Sequence, residues 1–344
     1  MDIKSTGPKP ARSLPLGYRP PAGTQRQLHL LTRTRLPRSV AAALGDHALI
    51  LASALAGLWA VLDLPAYLSV PVNFFALVLI ASRQRGLENL VHEASHRNWT
   101  RRNRRHEELR LNDRLCDLLA GLPVFSTVAS FRVNHDLHHL RFGTEEDLDN
   151  ARYSELDVEG LNRTRQAPFK FVCGVAVRLR PYARSWRAYI RTTRRTAFKS
   201  LAWHAAYLLV LGGVAGLLTG AWAQLAAWLV PLWVFYWLVP MTLVLTPLRF
   251  VAEAGEHTYV DAGSVFEATF TNEGRLGRLL HPHHDGYHLI HHLFPSIPHH
   301  QLKRAHRFML EADPQFYGAL NRHRVAVLQV PRAALKAAAE DAPK

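Results

Sequence analysis

Two long apolar stretches dominate the pattern of hydrophobic and polar positions along this chain. Between Ser39 and Ser82 there is no lysine or arginine, and the only acidic residues are Asp46 and Asp63. The second stretch runs from Ser200 to Leu248 and contains no charged residue at all. A helix needs about 20 apolar residues to cross a membrane, so each stretch is long enough to cross it twice.

Each stretch is interrupted once by residues that favour a turn. Asp63-Leu64-Pro65 divides the first stretch, and Leu218-Thr219-Gly220-Ala221 divides the second. We therefore predict an all-α membrane protein with four transmembrane helices in two hairpins. The predicted crossings are at about residues 43–62, 66–82, 201–218 and 225–247, in a domain of residues 41–312.

The polar segments predict the remaining parts of the molecule. We expect a cytosolic helical cap formed by residues 83–199 and 249–312. Residues 1–40 are rich in proline, arginine and serine and predict a mobile basic tail, and residues 313–344 predict a second tail. Residues 161–199 combine many arginines with aromatic residues. They are interpreted either as amphipathic helices on an anionic membrane surface or as a solvated basic face.

The distribution of charge predicts the orientation in the membrane. The net charge is +15, yet neither predicted outer turn carries any of the 42 lysines and arginines. Basic residues accumulate on the cytoplasmic side of membrane proteins. We therefore expect both termini in the cytoplasm and an integral protein of a bacterial inner membrane. The membrane orientation accounts for the excess of basic residues on the cytoplasmic side. We therefore expect no nucleic-acid partner.

Candidate chemistry lies in three clusters of histidine within the polar segments. Their members are spaced by three or four residues, so each cluster is expected to aim its imidazoles at one point from one helical face. The clusters are His92/His96, His135/His138/His139 and His288/His291/His292. Eight imidazoles exceed the three ligands of a catalytic zinc and predict two metal ions with four to six ligands each.

A ninth ligand is predicted from its expected depth below the membrane. His92 lies ten residues beyond Ser82, and His257 lies nine residues beyond Leu248. If both helices continue into the cap, both histidines lie about 14–15 Å beyond the membrane surface. Glu253 would share a helical face with His257, so we predict it as a direct or water-mediated partner at the catalytic site. Imidazole-rich sites without thiolates suit iron and dioxygen chemistry, and copper and zinc remain alternatives.

These motifs resemble those of the membrane-bound fatty acid desaturases and hydroxylases. The matching segments are HEASH at 92–96, HDLHH at 135–139, EAGEH at 253–257 and YHLIHHLFPSIPHHQL at 287–302. The resemblance spans about residues 45–310 and implies a non-haem centre of two iron ions. Two positions depart from the family pattern. Glu253 stands where some acyl-CoA desaturases of the family have asparagine, and the segment His284-Asp285-Gly286 stands where many relatives have asparagine shortly before the Tyr-His pair.

The resemblance implies an enzyme that uses O2 and two electrons to desaturate an aliphatic or fatty acyl chain. An apolar substrate would enter from the membrane, and an external carrier such as ferredoxin or a b5-type protein would supply the electrons. Hydroxylation is one alternative, and a specialised-metabolite or amino-acid-derived substrate is another. A more distant alternative is an intramembrane zinc metalloprotease based on HEASH. A metal transporter would require polar ligands within the membrane spans.

Overall fold

The computed structural model describes residues 13–100, 106–165, 167–190, 192–260, 262–272, 274 and 277–318. Within these residues the chain is helical and contains no β-strand. An isolated antiparallel β-bridge joins His257 and Thr269. The helices are α1 (Gln25–Leu31), α2 (Leu36–Asp63), α3 (Ala66–Ser95), α4 (His106–Cys116), α5 (Val128–Leu140), α6 (Leu148–Glu155), α7 (Val158–Arg163), α8 (Pro168–Tyr189), α9 (Arg194–Thr219), α10 (Trp222–Trp233), α11 (Leu245–Glu253), α12 (Val265–Ala268), α13 (Gly277–Leu280), α14 (His288–Leu293) and α15 (His299–Ala312). The all-α prediction is confirmed.

Four helices are long and apolar enough to cross a membrane. They are α2, α3, α9 and the segment Trp222–Glu253, in which two π-helical segments, Val234–Leu238 and Pro240–Val244, join α10 to α11. Each predicted crossing lies inside one of them, and many of their large apolar side chains face outward. Leu62 is 73% exposed and Leu218 is 81% exposed, which favours contact with lipid over water.

The two hairpins meet at a close contact within the apolar region. Gly57 on α2 leaves room for Asn73 on α3, whose side-chain amide donates to the Gly57 carbonyl at 3.1 Å. The Tyr236 hydroxyl donates to Asn73 Oδ1 at 2.7 Å and so connects the fourth span. These bonds satisfy polar groups that lipid could not satisfy.

Helix α3 positions the first histidines because it is longer than the membrane is thick. Its 30 residues extend about 45 Å, whereas the hydrocarbon core is about 30 Å thick. The last turns of α3 therefore continue beyond the apolar region and become buried in the cap. His92 lies in this buried part of α3.

A bent helical element brings the second histidine cluster under the spans. Helix α4 continues through a π-helical segment, Asp117–Gly121, and a 3-10 turn, Leu122–Val124, and the chain then bends by 91° into α5. Phe125 at the bend has a positive φ of 57°. The Pro123 carbonyl contacts the side chains of His204 and Trp237 at 3.1 and 3.3 Å, which fixes the bend against α9 and the fourth span.

Residues 1–40 and 313–344 were expected to form tails outside the packed domain. The described parts of both segments are instead packed against the cap. The Tyr18 ring stacks on Phe266 with centroids 4.7 Å apart, and its hydroxyl donates to Asp313 at 2.8 Å. Helix α1 packs on α15, and Tyr317 is fully buried. A few large apolar side chains anchor these segments to the cap. The average composition of the segments is polar and does not reveal these anchors. Residues 1–12 and 319–344 of the predicted tails lie outside the described residues.

Candidate metal centre

The structure brings all nine predicted histidines together beneath the spans, in two sets. Within each set, one ring nitrogen of every member lies within 4.8 Å of the others. The first set is His92, His96, His135, His139 and His291. The second set is His138, His257, His288 and His292.

The sets do not coincide with the sequence clusters, so the expectation that each cluster serves one point is wrong for two of them. His135 and His139 belong to the first set, but His138 between them belongs to the second. In a helix, positions i and i+4 are about 40° apart, whereas i+3 lies about 60° to the other side. Helices α5 and α14 therefore lie between the two sets, and each contributes to both.

His257 reaches the centre from a loop, which corrects the predicted helical continuation. Helix α11 ends at Glu253, and the chain turns at Gly255. Residues 256–258 then pair with residues 268–270, with the Thr258 amide donating to the Ala268 carbonyl at 2.8 Å. This pairing holds His257 Nε2 3.0 Å from His288 Nε2.

The spacing between the nitrogens fits ligands that share an ion. Neighbouring Nε2 atoms within the sets lie 2.8–3.3 Å apart. Two nitrogens that are each about 2.1 Å from one ion are separated by about 3.0–3.4 Å. His135 Nε2 has two such neighbours, His96 at 2.8 Å and His139 at 3.2 Å. One imidazole nitrogen offers a single proton or a single lone pair, so this convergence suits a central cation better than a hydrogen-bond network.

Carboxylates hold the outer nitrogens of one histidine in each set. Asp285 Oδ1 lies 3.2 Å from His92 Nδ1, and Asp147 Oδ1 lies 3.0 Å from His138 Nδ1. Each carboxylate favours the tautomer that leaves Nε2 free to bind a metal. Glu146, one residue before Asp147, instead pairs with Arg141 at the surface.

Burial keeps most of the imidazoles neutral, which is the form that binds metals. Burial and then the neighbouring rings lower the pKa of His135, His139, His257, His291 and His292 well below the ordinary value. His138 differs, because Asp147 and Asp149 outweigh the effect of burial and raise its pKa. The phenyl ring of Phe142 closes the second set, with its centroid 5.0 Å from that of His257.

A buried network of charged side chains surrounds the two sets. It contains the carboxylates Glu88, Asp147, Asp149, Glu253, Glu256 and Asp285 and the guanidinium groups Arg85, Arg152 and Arg249. Carboxylates outnumber guanidinium groups six to three in this network, and burial and the neighbouring Asp285 carboxylate raise the pKa of Glu256 well above its ordinary value. Uncompensated buried charge is costly, and two divalent cations would offset it. The donor set and the charge balance therefore both fit a pair of metal ions.

Sequence reasoning missed most of this network. Arg85 and Glu88 lie in the same helix as His92, about two turns and one turn before it, and charges inside a membrane-spanning helix were the available signal. Arg152 lies on α6 and reaches Glu253 only through tertiary packing, with Nη2 2.9 Å from Oε2. No local pattern could reveal that pair.

Glu253 lies beside the centre but in neither histidine set. Its carboxylate accepts hydrogen bonds from Arg152 at 2.9 Å and from the Tyr182 hydroxyl at 2.8 Å. Tyr153 also donates to its backbone carbonyl. The structure therefore places Glu253 among charged partners next to the metal site. His284 is exposed and contacts the His299 carbonyl at 3.2 Å, so it does not reach either set.

A cavity of about 60 Å³ adjoins both sets. Trp186, Tyr189, Ile190 and Phe131 line it from one direction, and members of the charged network, including Arg85 and Glu256, line it elsewhere. This volume holds about four water molecules. The cavity is therefore amphipathic and small, and it lies directly against His92, His135 and His288.

The membrane spans and the two converging histidine sets together define an integral membrane protein with a site that could hold metal. The sequence model of the fatty acid desaturase family matches residues 68–324, so the chain belongs to that family. A similar protein is the dihydrorhizobitoxine desaturase of Bradyrhizobium elkanii. It is 25% identical over 258 residues, which cover 70% of this chain and 68% of the relative. Membership places the protein among desaturase-type oxidoreductases, which are generally metal-dependent.

Proposed function

We propose that this protein is a membrane desaturase that uses two bound iron ions, O2 and two electrons to remove two hydrogens from an aliphatic substrate. The observation that carries the proposal is the division of nine imidazoles into two convergent sets within a carboxylate-rich shell. The two sets would each hold one ion. When bound, the metal ions would supply the O2 activation that breaks unreactive C–H bonds.

The protein's own residues orient and enclose the reaction. Asp285 and Asp147 fix the tautomers of His92 and His138. The aromatic wall of Trp186 and Tyr189 would position the apolar part of the substrate and limit entry of water. Removing two hydrogens while reducing one O2 to two waters requires two electrons and two protons from outside. We propose an external carrier such as ferredoxin or a b5-type protein as the electron source.

The cavity favours a second candidate substrate class, a small polar metabolite with a short aliphatic part. Charged side chains line much of the described cavity, and its volume of about 60 Å³ is far below the 300–1,000 Å³ typical of ligand pockets. The relative's name also states dihydrorhizobitoxine as its substrate, rather than a fatty acid. A specialised-metabolite or amino-acid-derived substrate is therefore proposed beside a lipid.

The surroundings of HEASH count against a zinc metalloprotease. The Glu93 carboxylate, which would act as the base, accepts hydrogen bonds from the Asn98 side chain at 3.3 Å and the His299 backbone at 2.8 Å. His92 and His96 belong to a set of five imidazoles, more than the zinc site of such a protease requires. Both observations support the oxidoreductase proposal.

We further propose a bacterial inner membrane location with both termini in the cytoplasm. The four apolar helices and the basic residues on the cap side support this orientation.

Product analysis tests the proposed reaction. Purified protein loaded with iron would receive reduced ferredoxin, O2 and either fatty acyl or small amphipathic substrates, and products would be identified by mass spectrometry. Desaturation predicts a product lighter by two hydrogen atoms. A product heavier by one oxygen atom would identify a hydroxylase, and peptide cleavage without O2 consumption would overturn the proposal.

A further inference from the structure

A basic cleft opens on the cap, between α15, the Pro282–His284 turn and the cap-side ends of α2 and α3. Its volume is about 1090 Å³. Five cationic side chains line it, and no carboxylate does so among the described lining residues: Arg38, Arg83, Arg278, Lys303 and Arg307. Arg83 pairs with Asp46 at 3.4 Å, whereas the other four have no carboxylate within ion-pair distance in the described part of the chain.

The surroundings of two histidines in this cleft show its positive character. His299 and His300 line it, and the Nε2 atom of each has no hydrogen-bond partner among the described residues. His299 is only 6% exposed. Burial, Arg38 and Arg35 lower the pKa of His300 to about 4, which shows that the surroundings disfavour a further positive charge. An anionic surface would be complementary to this cleft.

The inner wall of the cleft is separated from the metal centre by few side chains. His281 lines the cleft, and its Nδ1 lies 3.5 Å from Glu256 Oε1 and 3.6 Å from Asp285 Oδ2. Asp285 in turn contacts His92 of the first set at 3.2 Å. A contiguous series of His281, Asp285 and His92 therefore connects the cleft to a predicted ligand.

We propose that the basic cleft is the docking surface for an acidic electron-transfer protein, whose electrons reach the metal centre by way of His281, Asp285 and His92. This inference rests on the proposed function, because only a redox reaction at the centre requires such a donor. Each docking event oxidises the reduced carrier by one electron and reduces the metal centre by one, so two events supply one turnover.

The depth of the cleft favours a protein over an anionic lipid as its occupant. Arg83 directly follows the apolar stretch and contacts Asp46 of α2. Arg38 lies five residues before the start of the predicted crossing at residue 43, which places it about 7–8 Å beyond the hydrocarbon along α2. The headgroup layer of one leaflet is only about 5–8 Å thick. The cleft thus reaches from the membrane boundary at Arg83 to the outer edge of the headgroup layer at Arg38, where a soluble protein can contact it.

Binding of an acidic ferredoxin to the full-length protein tests the proposal without requiring turnover. The metal-loaded protein would be placed in nanodiscs of zwitterionic lipid and titrated with oxidised [2Fe–2S] ferredoxin as the probe. The cleft variant would combine Arg278→Glu, Lys303→Glu and Arg307→Glu. We expect it to weaken binding by about tenfold or more, and we expect wild-type binding to weaken as ionic strength rises.

A matched variant on α8 controls for net charge. Arg180→Glu, Arg184→Glu and Arg187→Glu change exposed arginines outside the cleft by the same total charge. This variant should bind ferredoxin within about twofold of wild type. Equal weakening in both variants, or no weakening in the cleft variant, would overturn the proposal. Native mass spectrometry provides a further test. If wild type retains anionic lipid and the cleft variant loses it while its ferredoxin affinity is unchanged, the proposal is also overturned.

A separate arm distinguishes failure of this inference from failure of the proposed function. Wild-type protein would be tested for substrate oxidation with chemically reduced methyl viologen in place of the carrier. Absence of any oxidation there would count against the proposed reaction. The comparison of ferredoxin affinities would remain interpretable, because it depends on binding alone.

Discussion

The histidines of the centre depend on the residues that hold their outer nitrogens. Asp147 illustrates this, because its carboxylate contacts His138 and also accepts the backbone amides of Gly143 and Asp149 at 2.9 and 3.0 Å. The same residue therefore orients a ligand and begins α6. Replacement by asparagine preserves the capping ability but removes the negative charge.

We predict that Asp147→Asn weakens metal binding at the second set by about 10–100-fold, because the imidazole of His138 loses its charged partner. Metal retention during dialysis against a graded series of chelators would measure the effect. Glu146→Gln is the matched control, since Glu146 is an exposed neighbour that pairs with Arg141. Equal retention by both variants would show that Asp147 does not support the ligand.

The Glu253→Gln variant distinguishes two possible roles of Glu253, that of a metal ligand and that of an ion-pair partner of Arg152. We expect this variant to keep both metal ions and to lose on the order of 1–3 kcal/mol of stability, because buried Arg152 loses one of two carboxylate partners. Metal content and thermal unfolding would be measured together, with the exposed Glu155→Gln as control. Loss of one ion from Glu253→Gln would instead identify Glu253 as a ligand.

At the scale of single residues, the sequence indicated which imidazoles converge but not which of them share an ion. The spacing of His135, His138 and His139 places them on one broad helical face. The assignment of each to a set depends on how α5 is rotated relative to α3 and α14, which only tertiary packing determines. Arg152 and Glu253 are 101 positions apart in sequence, so their pairing had no local signal.

The helices that cross the membrane could be predicted well, because the thickness of the bilayer sets their minimum length. The helices of the cap could be predicted less well. The apolar runs predict α2, α3, α9 and the fourth span because a membrane helix must satisfy its backbone internally. The helix expected through His257 is absent because residues 256–258 pair with residues 268–270 instead. The tail expected before residue 40 includes Tyr18, whose packing against Phe266 requires a distant partner.

Two glycines on α2 test the packing of the hairpins. A Cβ at Gly57 would lie 2.7 Å from Asn73 Oδ1 and 2.8 Å from the Tyr236 hydroxyl, whereas one at Gly45 would meet nothing within 4 Å. We expect Gly57→Ala to destabilise the protein by about 1–3 kcal/mol through overpacking. Gly45→Ala should be neutral or stabilise by up to about 1 kcal/mol through helix propensity. Similar thermal unfolding of the two variants would contradict this packing.

At the scale of the whole molecule, the two hairpins carry a single cap that contains both histidine sets. The orientation predicted from charge puts this cap in the cytoplasm. It would place the electron source and the centre on the same side of the membrane. Substrate could then reach the cavity from the membrane or from the cytoplasm without crossing the bilayer.

Cysteine labelling tests the orientation. Cys173 on α8 is exposed in the cap, and Thr219 is exposed at the turn between the last two spans. We expect a membrane-impermeant maleimide to label Thr219→Cys in intact bacterial cells, in a background that carries Cys173→Ser. The native Cys173 should react only after the inner membrane is permeabilised. The reverse pattern of labelling would place the cap outside the cytoplasm.

Metal analysis of the purified protein tests the central claim most directly. Two iron ions per chain are expected, one for each histidine set. His291→Ala and His138→Ala, which remove one ligand from the first and second sets, should each lose at least the ion of their own set. A single zinc ion per chain, or iron content that is unchanged in both variants, would contradict the account.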